Sequence, residues 1–322
     1  MNNKYVGHPS QLFGVRETRM IGGKADGMRL LEVRNGNGLE FTVSLDRCAD
    51  IPYLFYKGKS MAYIAPCGMV APQYYDNNGA GFLKSFTAGF FTTCGLTAVG
   101  SPCEDNGEEL PLHGTISHTP SEAHSYSIED DCIKITAVVR DAALFGQQLL
   151  LKREYCCGIS QNTLTLTDTV ENIGCKETPY MIMYHCNFGY PLLSENAVLN
   201  ISSCNVSARN EHAAKDIATW NKMLVPTSDF VEQCYYHSFD KDPVVSLKNP
   251  DIGTEMQMSF ELKNLDCFTQ WKMMGEYEYV LGLEPGNCYP DGRDVMRQNG
   301  ILKFLKPGES KTTTVSFKFT DI

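Results

Sequence analysis

Basic residues are in deficit: 28 Lys plus Arg face 38 Asp plus Glu, a formal charge of -10 over 322 residues. A surface of that sign repels phosphate backbones and anionic lipid alike, which argues against nucleic acid and membrane surfaces as partners. No uninterrupted apolar run approaches the roughly 20 residues of a membrane-spanning helix. Met1-Asn2-Asn3-Lys4 leads into no apolar stretch of signal-peptide length, so a cytoplasmic location is expected. The 13 cysteines include no C-x-x-C pair. Their scattered spacing indicates neither a zinc site nor a disulfide framework, and buried reduced thiols are expected. The standard nucleotide and hydrolase motifs are missing as well. There is no G-x-G-x-x-G, no G-x-S-x-G and no H-E-x-x-H, and Gly58-Lys59-Ser60 lacks the leading glycine of a phosphate loop because Tyr53 stands there. His113 and His118, five apart, have no neighbouring carboxylate to complete a metal site, and no metal is expected.

Helical periodicity is also scarce, with Asn210 to Trp220 the best candidate at about three turns and Leu83 to Phe90 interrupted by Gly89. Without crossover helices a parallel α/β sheet cannot be built. What is present is alternation of apolar and polar residues. Met256 to Lys263 alternates without a break, and Leu39 to Leu45, Ile133 to Val139, Leu164 to Val170 and Val315 to Phe319 do likewise. Each reads as a strand with one buried and one wet face, and turn signals such as Asn35-Gly36-Asn37-Gly38 and Lys306-Pro307-Gly308-Glu309 lie between them. Hydrophobic residues make up 43% of the chain against 20% charged, enough for a large core. The expected architecture is all-β: one large antiparallel sandwich over residues 1–322 with few short helices. The stretch from Ile64 to His118 is rich in Gly, Pro, Cys and aromatics and poor in alternation, so chemistry is sought there.

Three titratable residues stand out by context. His185 lies in the nearly continuous apolar run Pro179 to Pro191 and is followed by Asn187. An imidazole titrates near neutrality, so in a cleft it can exchange a proton with a substrate oxygen, although many such histidines are core residues. Glu284 follows the apolar run Tyr279 to Leu283 and precedes Pro285-Gly286, where desolvation would raise its pKa toward the range of a general base. His113 sits beside Gly114, which permits close approach of a ligand to the backbone. Asp168 shares the apolar side of its strand with Leu164, Leu166 and Val170, and a structural role is expected for it.

In their order and separations, Leu112-His113-Gly114, the strand ending His185-Cys186-Asn187-Phe188, and Leu283-Glu284-Pro285 with Pro290-Asp291-Gly292 downstream resemble the aldose 1-epimerases, or galactose mutarotases. A branch of unknown function resembles the chain more closely. That likeness runs through Leu45-Asp46-Arg47-Cys48-Ala49-Asp50-Ile51, Thr93-Cys94-Gly95-Leu96, Leu144-Phe145-Gly146 and Asn187-Phe188-Gly189-Tyr190-Pro191-Leu192. The resemblance implies a galactose mutarotase-like β-supersandwich whose concave face holds a small carbohydrate. It implies His185 as the acid at the ring oxygen, Glu284 as the base at the anomeric hydroxyl, His113 as a sugar ligand, and no cofactor. Asn187 and Trp271 are expected to help bind the substrate. The Asn-Arg pair that mutarotases carry ahead of Leu-His-Gly is replaced by Phe91-Thr92-Thr93-Cys94-Gly95-Leu96. Arg47 is the first choice for a substitute guanidinium, with Arg140 and Arg153 behind it. Glu284-Pro285-Gly286 also stands where mutarotases usually have Glu-Pro-Gln. An isomerase is expected, with a non-catalytic sugar-binding protein and a lyase or carbon epimerase as alternatives; a homodimer stays open.

Overall fold

The structure, a computed structural model, describes residues 4–322. Two antiparallel sheets, one of 12 strands and one of eight, carry most of the chain. In the eight-stranded sheet the order runs from Ser121–Glu129 through Cys132–Ala142, Gln148–Gly158, Thr163–Asn172, Ser310–Asp321, Thr254–Phe260 and Val244–Asn249 to Val198–Ile201. Four of the five alternating segments fall on these strands, and Leu39 to Leu45 falls on the strand Leu39–Ser44 of the larger sheet. Leu164, Leu166, Asp168 and Val170 are buried, and so are Val315, Phe317 and Phe319 on the partner strand. The Met256 to Lys263 alternation overruns its strand, which ends at Phe260, and the Leu39 to Leu45 alternation overruns Leu39–Ser44 by one residue.

One apolar cluster joins the inner faces of both sheets, from Leu31 and Phe41 through Ile135, Leu166 and Phe188 to Leu283 and Phe317. Inside it lies a fully buried ion network. Arg153 donates from Nε to Asp168 Oδ1 at 2.9 Å, from Nη2 to Asp168 Oδ2 at 2.6 Å and from Nη1 to Asp50 Oδ1 at 2.6 Å. The Tyr184 hydroxyl adds a bond to Asp168 Oδ2 at 2.9 Å. Asp168 is therefore an interior partner, and Arg153 is too deep to reach a ligand.

Two expectations change. The Asn210 to Trp220 helix shrinks to the single turn Glu211–Ala214, N-capped by the Asn210 side chain, and a 3-10 turn at Ile217–Thr219. The pattern there is that of a turn-rich segment lying over the end of a sheet, with too few residues to propagate a helix. Likewise Leu83 to Phe90 forms no α-helix: the 3-10 turn Gly81–Lys84 ends at its start and Ala88–Gly89 is a short strand. The cysteines are not all reduced: Cys132 and Cys156, on neighbouring strands with Lys134 opposite Cys156, form a disulfide. No helix among the described residues is long and apolar enough to cross a membrane.

Candidate active site

Six strands of the larger sheet build the site and are numbered here in chain order: β1 (Phe91–Leu96), β2 (Thr178–Phe188), β3 (Asn205–Ala208), β4 (Gln233–Ser238), β5 (Cys267–Met274) and β6 (Tyr279–Gly286). Their order in space is β1-β2-β6-β5-β4-β3. Thr92 of β1 stands opposite His185 of β2. The pairs Cys186–Leu283 and Asn187–Gly282 set His185 across from Glu284 of β6. Glu284 in turn faces Thr269 of β5, and Thr269 faces Tyr236 of β4. Directly paired residues share a face of the sheet. Four strands thus deliver His185, Glu284, Thr269 and Tyr236 in one row. The next row is Asn187, Gly282, Trp271 and Cys234, and Arg209, whose N–H bonds to the Cys234 carbonyl, extends it beyond the end of β3.

Above these rows the sheet opens into a cleft of about 280 Å³. That lies just below the usual range of about 300–1,000 Å³ for small-molecule sites and suits a single sugar ring. His113, His185, Trp271 and Glu284 line it together with Arg209, Glu232 and Thr269. His185 Nε2 and Glu284 Oε1 lie 3.3 Å apart, both buried. Four of the buried side chains with an unpartnered polar atom line it, through His113 Nδ1, His185 Nδ1, Thr269 Oγ1 and Glu284 Oε1, and a fifth such atom, Asn187 Oδ1, lies beneath. Buried polar atoms are nearly always satisfied, so such a concentration marks the place where a polar ligand belongs.

The close approach at the centre depends on one missing side chain. Glu284 Oε1 reaches back over Gly282 into the space that a Cβ there would occupy, and the Trp271 ring packs against the same gap. The Trp271 indole N–H is held by Glu232 at 2.7 Å, which fixes the ring edge-on to His185 with centroids 5.3 Å apart. His113 enters from the loop between β1 and the rest of the chain. Its φ of 58° is left-handed, and its backbone is tied by bonds to Gly100 and Gly95. Its ring stands edge-to-face with His185 at 5.5 Å.

Electrostatics follow from burial. Desolvation pushes the Glu284 carboxyl well above the usual range; nearby Glu232 adds to this and Arg209 opposes it. Desolvation lowers His185 to about 4, with the Asn187 side chain countering in part, and holds His113 neutral. The isolated pair therefore keeps one proton, on the carboxyl, and no net charge. Passing that proton to the imidazole makes a carboxylate and an imidazolium without uptake from solvent.

Two residues named from the sequence lie elsewhere. Arg47 is buried outside the cleft, its Nη1 donating to the Val70 and Ser85 carbonyls at 2.9 and 2.7 Å and its Nη2 lying 3.1 Å from His118 Nε2. It fastens loops and offers nothing to a ligand. Asn187 sits beneath the cleft, donating from Nδ2 to the His185 carbonyl at 2.7 Å, so it positions His185 from below. The guanidinium in the cleft is Arg209, set by Asp291 at 3.0 Å, by Ser101 Oγ at 3.2 Å and by the Pro290 carbonyl at 3.1 Å. Sequence reading missed it, as it did Thr269 and Glu232; the Pro290-Asp291 turn that holds Arg209 was the one available signal. Among the described residues no three His, Cys, Asp or Glu side chains converge as metal ligands. His118 is engaged on both ring nitrogens by Ser85, Arg47 and Ser117.

Two large antiparallel sheets packed on one core, with few and short helices, match the galactose mutarotase-like β-sandwich. The chain belongs to the family described as Domain of unknown function (DUF4432), whose model matches residues 25–319. Solved structures with this fold include an aldose 1-epimerase candidate of Klebsiella pneumoniae, with a TM-score of 0.90 at 25% identity over 95% of this chain and 83% of that one. A galactose mutarotase-like protein of Clostridium acetobutylicum superposes with a TM-score of 0.68 at 13% identity, over 97% of this chain and 100% of that one. For the galactose 1-epimerase of Lactobacillus acidophilus the values are 0.63 and 14%, over 96% and 99% of the two chains. These low identities carry the fold alone. A search of curated proteins finds no match.

Proposed function

We propose that the protein is an isomerase that opens and recloses the ring of a small aldose, with His185 and Glu284 as the proton-transfer pair. The observation that carries this reading is the 3.3 Å approach of the two groups at the floor of a cleft sized for one ring. In a bound pyranose the ring oxygen O5 and the hydroxyl oxygen O1 are both bonded to C1, so adjacent donor and acceptor groups can serve both at once. His185, as imidazolium, gives its proton to O5 while Glu284, as carboxylate, takes the proton of O1. The C1–O5 bond breaks and C1 becomes an aldehyde. Rotation about C1–C2 and reversal of both transfers close the ring on the other face.

The ionised arrangement that this step needs is disfavoured in the empty, desolvated cleft. Hydrogen bonds from the sugar and from the Thr269 hydroxyl to the carboxylate, with the Arg209 charge nearby, favour it once ligand is bound. The cycle returns both protons to where they began and requires no cofactor.

Saturation-transfer NMR of anomer exchange over a panel of aldoses tests the proposal. Exchange above the spontaneous rate that Glu284→Gln and His185→Gln each reduce at least 100-fold supports it. Binding of the same sugars with no exchange would replace it with the sugar-binding reading, and a carbon-inverted or unsaturated product with the lyase or carbon-epimerase reading.

A further inference from the structure

The cleft is asymmetric about its central pair, and the asymmetry follows strand order. On the β6-β5-β3 side of Glu284 stand Thr269, Arg209 and Glu232, all able to bond hydroxyl groups. On the β1 side of His185 the wall is apolar. The Phe86 ring meets His185 edge-on at 5.1 Å, Phe82 packs on Phe86 at 5.1 Å, and Leu83 and Leu112 complete the surface. The backbone there is largely spoken for: the Leu83 and Leu112 N–H groups donate to Ala80 and Gly79, the Phe82 carbonyl accepts from Ser85, and the Phe86 carbonyl accepts from Cys67 Sγ.

Ring connectivity turns this asymmetry into a statement about the sugar, resting on the proposed assignment of O5 to His185 and O1 to Glu284. Beyond O5 comes C5, and beyond C1 come C2 and C3. The substituent on C5 is therefore carried to the His185 side, against phenylalanine and leucine, whereas the ring hydroxyls at C2 and C3 fall among Thr269, Arg209 and Glu232. His113 is the one polar side chain on the apolar flank. Its ring stands edge-on to that of His185 at 5.5 Å and its Nδ1 is without a partner, which leaves it available at the ring-oxygen end.

We infer that the substrate is an uncharged pyranose whose C5 bears hydrogen or methyl in place of a hydroxymethyl, carboxyl or phosphorylated arm: a pentose or a 6-deoxyhexose. A hydroxyl set against the buried Phe82 and Phe86 rings of this wall loses its water and finds no partner there. A charged group fares worse, because Arg209 is already engaged by Asp291 and Glu232 stands exposed at the rim.

The test is anomer exchange on matched sugars that differ only in the substituent on C5: D-fucose against D-galactose, and 6-deoxy-D-glucose and D-xylose against D-glucose, with D-galacturonate and D-glucose 6-phosphate as charged members. The expected result is kcat/KM about 10- to 100-fold higher for the sugar lacking the hydroxyl, the range by which an apolar pocket discriminates against one added hydroxyl. No enzyme-dependent exchange is expected on the charged pair. Leu83→Asn, which offers an amide to the C5 arm, should narrow the ratio. A ratio near one, a preference for the hydroxymethyl sugar, or turnover of the uronate overturns this inference while leaving the proposed reaction standing. Loss of exchange on every sugar, or exchange indifferent to Glu284→Gln, overturns both.

Discussion

Gly282→Ala isolates the geometric claim at the heart of the site. The glycine lies in extended strand with no positive φ, so alanine meets no backbone penalty. A Cβ there would fall 2.4 Å from Glu284 Oε1, 2.9 Å from Trp271 Cβ and 3.2 Å from Trp271 Cε3. Restoring van der Waals separation moves the carboxylate by about 1 Å, or turns it out of line with His185. A displacement of that size at a reacting group costs about 100-fold in rate, or about 2.7 kcal/mol of barrier. The overpacking itself costs about 1–3 kcal/mol of stability. The two effects are separable, because anomer exchange at saturating sugar reads the first and a thermal melt reads the second. The expected variant folds, melts a few degrees lower and loses kcat far out of proportion. Full activity in Gly282→Ala would mean that the Glu284 carboxylate does its work from some other position, and the reasoning about the cleft floor would fall.

Further outcomes follow from burial. Arg153→Met should cost about 3–5 kcal/mol in chemical denaturation, since Asp168 and Asp50 are left as unpaired charges inside the sandwich; a loss under 1 kcal/mol would contradict the network. Burial holds His118 down to about 2 and His237 to about 4, so both are neutral in the folded protein. The stability they contribute is present above about pH 6.5 and is lost as pH falls toward 4, at up to about 1.4 kcal/mol per pH unit for each, which urea titrations at stepped pH would read. Glu284→Gln should reduce exchange about 10²- to 10⁴-fold and yet melt higher than the parent at pH 8 to 9. The raised pKa of Glu284 means that the stability linked to its proton is complete below about pH 4.5 and drains away as pH rises, a loss that glutamine does not suffer. Equal melting temperatures across that range would show that the carboxyl is not desolvated.

The strands were legible because alternation reports burial directly: Leu164, Leu166 and Val170 face the core in the order in which they are spaced. His185 and Glu284 were legible because each breaks an apolar run, and a polar group at such a position needs a reason. Arg209 was not, because it follows the ordinary edge strand Asn205–Ala208 and owes its place to a turn some 80 residues downstream. Arg47 misled for the complementary reason. Flanked by Asp46 and Asp50 it reads as an accessible charge, but Asp46 goes to Arg29, Asp50 to Arg153, and the guanidinium to buried loop carbonyls. Spacing along the chain carries the rows of a sheet, whereas which long side chain reaches across them is settled by tertiary packing.

The proton inventory of the central pair explains why it can be reactive without being conspicuous in stability. Between about pH 4.5 and 6.5 the folded protein keeps one proton on Glu284 and none on His185. Over the same interval the unfolded chain, with a glutamate at 4.5 and a histidine at 6.5, also keeps one, on His185. Folding moves the proton from one residue to the other and exchanges none with solvent, so the two linkage terms cancel and the acid limb falls to the other buried, neutral histidines, His113, His118 and His237. Removing either partner ends the cancellation. In Glu284→Gln the unfolded chain alone binds the proton, and stability should then rise with pH more steeply than in the parent across that interval. A steeper slope in the variant shows that the folded parent keeps the desolvated Glu284 carboxyl protonated through that interval, and an unchanged slope would show that it does not.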